Sequence, residues 1–316
     1  MKKILVVEYS QTGQLSAVLD ALLAPLLVDG SGVVVVREKL QPLPAYPFPW
    51  PFWQFMDTFP ETVAGMPPVL APLSAEATGD FDLIILGYPV WFLSPAPALM
   101  SFLHSAAGRR LIPGSPVVTV TACRNMWLMA QEVVKQELRE AGAYHCDHIA
   151  LVDRGSAFAT FITTPRWLLT GRKGAFWGFP AAGVALEDIR ASRRFGRALR
   201  DALRNDDEKR GKPMLRGLRA CVVDVRLIAS EKVGKRSFRI WSRLLRSLGR
   251  PGTSLRRAAL VFYLVFLVIL ILTVVPLTML LKAALRPLLR KKLAAARSYF
   301  EQPSGSDASR LALFNE

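Results

Sequence analysis

The amino-acid sequence predicts an α/β fold in which a doubly wound, five-stranded parallel sheet carries helices on both faces. Three apolar runs have the length of buried strands, and each is followed by a segment with helical periodicity. Strands and helices that alternate in this way are typical of parallel sheets covered on both sides. The predicted strand–helix pairs are residues 3–9 with 15–27, 82–87 with 96–104, and 116–121 with 127–141.

Two shorter apolar runs complete the predicted sheet. Residues 32–37 supply the second strand and residues 150–152 the fifth. Residues 184–203 then form the last helix, with Glu187 and Asp188 in its first turn, where the positive end of the helix dipole stabilises carboxylates. The sheet domain is therefore expected to comprise residues 1–205.

The first strand ends in a small polar loop that is typical of a phosphate-binding site. Backbone N–H groups at the start of the following helix have no partners within that helix, and the positive end of its dipole faces the loop. Hydroxyl groups add donors, and a glycine allows close approach of the backbone. The predicted phosphate-binding residues are Ser10, Gln11, Thr12, Gly13, Gln14 and Leu15.

The pattern of this loop distinguishes between classes of nucleotide site. It contains neither G-x-G-x-x-G nor G-K-[S/T], which excludes a dinucleotide fingerprint and a Walker loop. It resembles the S/T-x-T-G-x-T loop of flavodoxins, which holds the terminal phosphate of FMN. Leu15 replaces the last threonine of that pattern, so one hydroxyl contact is missing. The alternative is an ordinary strand–helix turn capped by Ser or Thr.

Two further loops are expected to meet the first at the carboxyl edge of the sheet, where ligands of such sheets bind. They follow the third and fourth strands, and in flavodoxin-like proteins these loops flank the flavin ring. Trp91, Phe92 and Trp127 could stack on that ring or wall it off, with core packing as the alternative. The further predicted FMN contacts are Pro89, Val90, Trp91, Phe92, Thr121, Arg124, Asn125 and Met126.

Charge is distributed unevenly along the 316 residues. Residues 1–150 carry 9 Lys/Arg and 13 Asp/Glu, whereas residues 151–316 carry 32 and 12. The net charge of +16 therefore resides in the second half, which indicates an anionic membrane surface or nucleic acid. Nucleic acid is disfavoured because no aromatic stacking platform accompanies the arginines.

The few cysteines and histidines predict neither a disulfide framework nor a metal site. The three cysteines are widely spaced and form no C-x-x-C pair. Residues 145–148 (His-Cys-Asp-His) offer metal-ligand types, but they lie beside a predicted strand, so no metal is expected there.

Two insertions distinguish the chain from a minimal sheet domain. Residues 41–68 hold eight prolines and seven aromatic residues, and proline excludes a regular helix or a central strand there. The aromatic side chains are expected to cover the flavin, an apolar substrate or lipid. Residues 157–182 mix aromatic and basic side chains, which suits a membrane interface. A packed Ω-loop is the alternative for both insertions.

Residues 258–281 form a run of 24 uncharged residues, longer than the roughly 20 that cross a hydrocarbon core as a helix. A transmembrane or membrane-inserted helix is predicted there, after a basic connector (206–257) and before a tail (282–316) that is basic and then disordered. Both flanks are positive, which leaves two topologies. One is a single crossing with the tail outside, and the other a shallow, kinked insertion with both ends in the cytoplasm. The basic connector would lie on anionic lipid.

Several motifs together resemble the dialkylresorcinol-condensing enzyme family, and the similarity extends over nearly the whole chain. The resemblance implies a flavodoxin-like, FMN-binding protein of a bacterial pathway. A flavin fold that needs reduced nucleotide or reduced partners favours a cytoplasmic catalytic domain, so the protein is expected at the inner membrane with that domain in the cytoplasm. The resemblance also implies a ketosynthase and an acyl carrier protein of the same pathway as partners. The motifs are Y-S-Q-T-G-Q-L at 9–15, the Pro/Phe/Trp insertion at 47–53, G-Y-P-V-W-F-L-S-P at 87–95, R-N-M-W at 124–127, A-L-V-D-R at 150–154 and L-L-T-G-R-K at 168–173.

The activity that the resemblance implies is oxidation of a lipid-like dialkyl-cyclohexane-1,3-dione to a dialkylresorcinol. This aromatisation removes two electrons and two protons, and FMN can accept a hydride while a side chain or water takes the acidic proton. The family name credits condensation, but no ketosynthase-like Cys/His/His pattern is present. Arg124 is the candidate for steadying an enolate oxygen or a flavin carbonyl. His104 is the candidate base and Tyr88 a candidate donor, with structural roles as the alternative.

Two other functions fit the same residues. One is a membrane-anchored NAD(P)H:quinone reductase that faces the quinone pool. The other belongs to a different class: a flavin-free, flavodoxin-like scaffold that binds carrier protein or lipid. The hydroxyl that is missing at Leu15 leaves this third hypothesis open.

Overall fold

The computed structural model describes residues 1–273 and 289–314. Its centre is a parallel sheet of five strands in the spatial order β2-β1-β3-β4-β5. This is the flavodoxin-like order of a doubly wound sheet, so the predicted fold class is confirmed. The strands are β1 (Lys2–Glu8), β2 (Val33–Lys39), β3 (Leu83–Tyr88), β4 (Pro116–Cys123) and β5 (Tyr144–Val152).

Helices cover both faces of the sheet and extend beyond it. The predicted last helix at 184–203 is divided into two helices at Ser192, whose hydroxyl donates to the carbonyl of Asp188 at 3.0 Å. The helices are α1 (Gln14–Leu23), α2 (Phe52–Asp57), α3 (Phe59–Ala64), α4 (Pro97–His104), α5 (Ala106–Leu111), α6 (Leu128–Glu140), α7 (Ala157–Thr170), α8 (Leu186–Ala191), α9 (Arg193–Arg204), α10 (Val225–Ser247), α11 (Ser254–Leu272), α12 (289–301) and α13 (Leu311–Phe314).

The alternation of side chains in β1 shows how the sheet separates two cores. Ile4 and Val6 pack with α1, α8 and α9, whereas Leu5 and Val7 pack with α4 and α6 on the other face. Gly196 allows α9 to lie close to α1, because a Cβ there would come within 1.9 Å of the Leu22 carbonyl oxygen. Burial on both faces explains why the strand is a continuous apolar run.

Parallel pairing aligns the ends of the three central strands. Glu8 of β1 pairs with Gly87 of β3, and Tyr88 of β3 pairs with Thr121 of β4. The loops that follow these strands therefore leave the sheet at the same edge, as predicted.

The first insertion contains two short helices, which corrects the prediction that proline would exclude helices there. Pro51 is the N-cap of α2, and Pro60 lies in the first turn of α3. Proline is tolerated at both positions because the N–H that it lacks would have no helical partner. The prediction failed because it counted prolines without regard to their place in a helix.

The basic connector and the tail belong to the same folded unit as the sheet. The carboxylate of Asp147 in β5 accepts hydrogen bonds from the N–H groups of Met214 (2.7 Å) and Leu215 (3.2 Å) and from the hydroxyl of Ser304 (2.7 Å). The prediction of a disordered stretch near residues 304–309 is therefore wrong. Ser304 is buried, and its hydroxyl oxygen also accepts a hydrogen bond from the N–H of His148, at 2.7 Å.

Helix α11 begins four residues before the apolar run that predicted a membrane segment and covers residues 258–272 of it. Among the described residues it is the helix that is long and apolar enough to cross a membrane, and most of it is not buried by the rest of the protein. The predicted span continues to residue 281, and residues 274–281 of it lie outside the described residues, as do residues 282–288 of the predicted tail.

Candidate functional site

The loop between β1 and α1 presents a row of backbone donors. Gly13 is the N-cap of α1 and has a left-handed backbone conformation, with φ of 77°. The hydroxyl oxygen of Ser10 accepts a hydrogen bond from the N–H of Ser16 at 3.3 Å. Within residues 1–273 and 289–314, no group accepts a hydrogen bond from the backbone N–H groups of residues 10–15. An anion at this helix start would satisfy them.

The two glutamines of this loop bind the insertions. Gln11 accepts a hydrogen bond from the Tyr9 hydroxyl (2.7 Å) and donates one to the Pro47 carbonyl in the first insertion (2.7 Å). Gln14 accepts one from the N–H of Val184, just beyond the second insertion, at 2.7 Å. Their side chains therefore hold chain segments around the loop, and their backbone N–H groups remain to bind a ligand.

The residue that departs from the flavodoxin pattern has a packing role. The side chain of Leu15 is buried in the core, where a Cβ at Gly87 would lie 3.5 Å from it. Beneath the loop, buried Glu8 accepts hydrogen bonds from the Ser16 hydroxyl (2.9 Å) and from Nε of Arg37 (2.7 Å). Sequence reasoning missed this pair, although a charged residue at the end of an apolar strand was the available signal.

The loop after β3 is a tight hairpin with bulky residues at its tip. Phe92 and Leu93 have φ of 49° and 57°, a left-handed conformation that side chains rarely adopt. Phe92 packs on Phe55 at 4.9 Å between ring centroids, and the ammonium group of Lys235 donates to the Leu93 carbonyl at 3.1 Å. Contacts from the first insertion and from α10 thus stabilise a strained turn, as is common at functional sites.

Trp91 packs between the sheet and the first insertion. Its ring centroid lies 5.9 Å from that of Tyr9, 5.1 Å from that of Tyr46 and 5.6 Å from that of Trp50. Only 6% of its surface is exposed. In the structure Trp91 therefore has the core-packing role that the sequence left as the alternative to stacking on the flavin ring.

Trp127 is also directed away from the loops. It is buried 5.0 Å from the ring of His148, in a cluster that includes Cys123, Ile228 and Phe300. The expectation that it flanks a flavin is corrected. Trp127 immediately precedes α6, and its side chain packs against residues of α10 and α12.

Arg124 connects the loop after β4 to the second insertion. Its Nε donates to the Thr160 hydroxyl (2.9 Å) and one terminal nitrogen donates to the Ala157 carbonyl (3.2 Å), both at the start of α7. Burial lowers the pKa of Arg124, and Asp153 opposes that shift. The neighbouring side chains of Asn125 and Met126 are half-buried at the same edge. This loop therefore keeps its predicted place but is covered by α7.

Two predicted side chains lie in the interior beneath the loops, which corrects their assigned roles. The Tyr88 hydroxyl donates to Gln131, whose amide donates to the Thr119 hydroxyl at 3.2 Å. That hydroxyl also bonds to His145 (2.9 Å) and His148 (2.8 Å). Burial raises the pKa of Tyr88 well above its usual value, so it is a buried structural donor. Thr121, similarly buried, donates to the Tyr88 carbonyl at 2.9 Å.

His104 is excluded as a base by its position. It is the last residue of α4, which runs antiparallel to the strands and ends at the opposite edge of the sheet from the three loops. There it pairs with Glu137, near the end of α6, at 2.8 Å. The alternative role that the sequence allowed, a structural histidine, fits this position.

A cavity of about 680 Å³ separates the first insertion from the start of α11. Tyr46, which touches both Tyr9 and Trp91 at the sheet edge, lines its inner side. Pro251 and Arg257, which flank the start of α11, line its outer side. The cavity therefore extends from the edge of the loop cluster to the base of the apolar helix.

No family model matches this chain. No curated protein matches it either. Among solved structures it is similar to a flavoprotein from Lactobacillus acidophilus in complex with FMN, with 15% identity over 48% of this chain and 91% of that chain and a TM-score of 0.37. It is also similar to a WrbA-like flavodoxin from Agrobacterium tumefaciens, with 12% identity over 65% and 99% and a TM-score of 0.35. A flavodoxin from Fusobacterium nucleatum bound to flavin mononucleotide shows 12% identity over 49% and 74%, with a TM-score of 0.28.

Proposed function

We propose that this protein is a membrane-associated, FMN-dependent oxidoreductase that acts on a lipid-like cyclic substrate. The observation that carries the proposal is the row of backbone N–H groups at residues 10–15, for which the described part of the chain offers no acceptor, at the sheet edge where three loops meet. A helix start with free donors and a left-handed glycine suits a phosphate dianion.

The residues of the site fit FMN in part. The loop N–H groups and the hydroxyls of Ser10 and Thr12 would hold the phosphate. Pro89 and Val90 would line one side of the ring, and Asn125 with Met126 the other, since these side chains are only half-buried. Trp91 does not fit a stacking role, because other aromatic rings already surround it. When bound, FMN supplies hydride acceptance.

The cavity beside α11 suits the substrate class. It is bounded by prolines and aromatic rings that would contact alkyl chains, and Gln54, Thr58 and Arg257 offer polar groups for ring oxygens. Its outer side is formed by the start of α11, so the cavity lies close to the helix that is proposed to enter lipid. These features support oxidation of a dialkyl-cyclohexane-1,3-dione to a dialkylresorcinol as the reaction.

The proton that leaves the dione needs no strong base. Protons between two carbonyl groups are acidic, so water at the site suffices, and neither Tyr88 nor His104 is available for this role. Arg124, held by α7 at the loop after β4, would supply positive charge beside a flavin carbonyl. In this proposal the ketosynthase and acyl carrier protein of the pathway supply the substrate at the cytoplasmic face of the inner membrane.

Purification of the full chain in mild detergent tests the cofactor. The expected result is a yellow protein that releases one FMN per chain on denaturation. A colourless protein that does not take up added FMN would instead favour the flavin-free scaffold, a hypothesis to which the buried position of Trp91 lends weight.

Turnover tests the substrate class. The FMN-loaded protein is mixed with an alkylated cyclohexane-1,3-dione and a dye electron acceptor, and resorcinol formation is followed by chromatography. The proposal expects resorcinol. Rapid oxidation of NADPH with a quinone, without any resorcinol, would identify a quinone reductase instead.

A further inference from the structure

The start of α11 is part of the folded domain. The guanidinium of Arg256, in its first turn, bonds to both carboxylate oxygens of Glu61 (2.7 and 2.6 Å) and to Asp57 (3.0 Å). Two turns later the ring of Tyr263 stacks on that of Phe59, with 5.0 Å between centroids and 9° between planes. The chain therefore enters the apolar segment from the surface of the domain.

The chain that follows the apolar segment returns to the same domain. Phe300, near the end of α12, is buried in the cluster with Trp127 and Cys221. Ser304 bonds to β5, as described above, and the N–H of Arg219 donates to the carbonyl of Asp307 at 2.7 Å. Phe314 lies in the core beside α9. These contacts are independent of those that hold the start of α11.

We infer that the protein inserts into an anionic membrane from one side only, with both flanks of its apolar segment on the same surface. A single crossing would place roughly 30 Å of hydrocarbon between Arg256 and Phe300. Both side chains are buried in one folded unit, so that arrangement would require the domain to unfold. Of the two topologies that the sequence leaves open, the structure favours insertion with both ends in the cytoplasm.

The described part of α11 extends away from its anchor on the domain. Beyond Tyr263 the helix continues to Leu272, which at 1.5 Å per residue is about 14 Å. Its exposed side chains there are large and apolar, with Phe266 partly covered by α10. They are Val265, Phe266, Val268, Ile269 and Leu272.

Basic residues near α11 indicate that the membrane surface into which α11 inserts is anionic. Helix α10 packs against α11 through Trp241, whose ring lies 5.6 Å from that of Phe266. Between residues 236 and 246 the same helix exposes four arginines to solvent, and three basic residues are exposed at 290–292, in the first described turn of α12. Anionic headgroups would neutralise them while α11 enters the acyl layer. The basic residues are Arg236, Arg239, Arg243, Arg246, Arg290, Lys291 and Lys292.

Cysteine labelling of the full chain tests the topology. The three native cysteines are buried, so single exposed cysteines can be introduced. Asp29→Cys reports on the domain, Ala308→Cys on the tail and Val268→Cys on the lipid-facing helix. A membrane-impermeant maleimide is applied to intact spheroplasts and to inside-out vesicles. We expect Asp29→Cys and Ala308→Cys to label only in inside-out vesicles, and Val268→Cys to label only after detergent is added.

Two results would overturn the inference. Labelling of Ala308→Cys from spheroplasts would place the tail on the outer side, as in a single crossing. Recovery of the unlabelled protein in the soluble fraction, with Val268→Cys reactive without detergent, would show that α11 does not enter lipid. Neither readout involves flavin, so a colourless protein can still confirm the topology, and a yellow one can still refute it.

Lipid composition provides a second test. Sedimentation with vesicles compares phosphatidylcholine alone with a mixture that contains phosphatidylglycerol. We expect binding to the mixture to be at least tenfold tighter, and the double variant Arg243→Gln/Arg246→Gln to lose most of that difference. Equal binding to both vesicles would contradict the role of charge.

Discussion

Arg256, in the first turn of the apolar helix, binds both carboxylate oxygens of Glu61 in the aromatic insertion, at 2.7 and 2.6 Å. Only 1% of the arginine surface is exposed. In the sequence this residue belongs to a positive flank of a membrane segment. In the structure it joins the start of α11 to the aromatic insertion, and its guanidinium also donates to the carbonyl of Gly249, just before the turn that borders the cavity, at 3.4 Å.

The first prediction concerns this bridge. Glu61→Leu should lower the free energy of unfolding by about 3 kcal/mol, because it leaves a buried guanidinium with only Asp57 as a charged partner. Urea denaturation in detergent measures the change. Glu187→Gln, which alters an exposed carboxylate on α8, is the control and should have little effect.

The second prediction uses both partners of the bridge. In the double variant Glu61→Leu/Arg256→Met the buried charge is removed together with its partner, so the loss should be smaller than that of Glu61→Leu alone. If the two single losses simply add, the pair is not coupled, and α11 must be held mainly by the stacking of Tyr263 on Phe59.

The third prediction concerns Trp91. Trp91→Ala should reduce stability by about 3–5 kcal/mol, because it leaves a cavity among Tyr9, Tyr46 and Trp50. The matched control is Trp177→Ala, since Trp177 is 93% exposed and its removal should cost little. Weaker FMN binding with unchanged stability would instead return Trp91 to the ring-stacking role that the sequence suggested.

The sheet and the phosphate loop could be predicted because their signals are local. An apolar run of strand length, a small polar loop and a helical period are each contained within a few consecutive residues. The five strands and the meeting of their loops follow from such segments. Gly13 is the clearest example, since the left-handed turn at the start of α1 is visible in the sequence as a glycine after Ser10 and Thr12.

What covers the loops could not be predicted, because it depends on contacts between distant segments. The aromatic residues of the first insertion meet Trp91 through tertiary packing, which has no sequence period. The same holds for Ser304, which looks like part of a polar, disordered tail until Asp147 and His148 bind it across more than 150 residues. The break at Ser192 was also missed, because the helical period continues across it.

The fourth prediction tests the phosphate loop. Thr12→Ala/Gly13→Val should abolish FMN retention, because it removes a hydroxyl donor and places a β-branched residue where φ is 77°. Gly30→Val is the matched control, since Gly30 also has a left-handed conformation, with φ of 74°, and open space around it. Both variants carry similar backbone strain, so flavin absorbance that falls equally in the two would indicate general destabilisation.

The fifth prediction concerns Glu231, a buried carboxyl on α10 that accepts a hydrogen bond from the N–H of Met129 at 3.0 Å. Burial raises its pKa from 4.5 to about 8, and Cys123 lies close enough to feel its charge. The folded state therefore holds this proton more tightly than the unfolded state. Stability should fall as the pH rises from 4.5 to 8.

Two histidines oppose this trend at lower pH. Burial lowers the pKa of His145 from 6.5 to about 4 and that of His148 well below 6.5, so the unfolded state takes up their protons first. Their contribution to stability rises with pH and is complete above 6.5. Near pH 6.5 the fall due to Glu231 approaches about 1.4 kcal/mol per pH unit. Towards pH 8 it is offset by Lys235 of the same helix, because burial lowers the pKa of that ammonium group from 10.5 to about 8 and the unfolded state then binds the proton more tightly.

Urea denaturation at pH 6.5, 7.25 and 8 measures this slope. The native protein should lose stability between pH 6.5 and 7.25, whereas Glu231→Gln, which has no proton to release, should show no fall over that interval. Glu187→Gln is again the control and should retain the native slope, because its carboxylate is exposed. A slope that persists in Glu231→Gln would show that another group, and not the buried carboxyl of Glu231, is responsible for the pH dependence of stability.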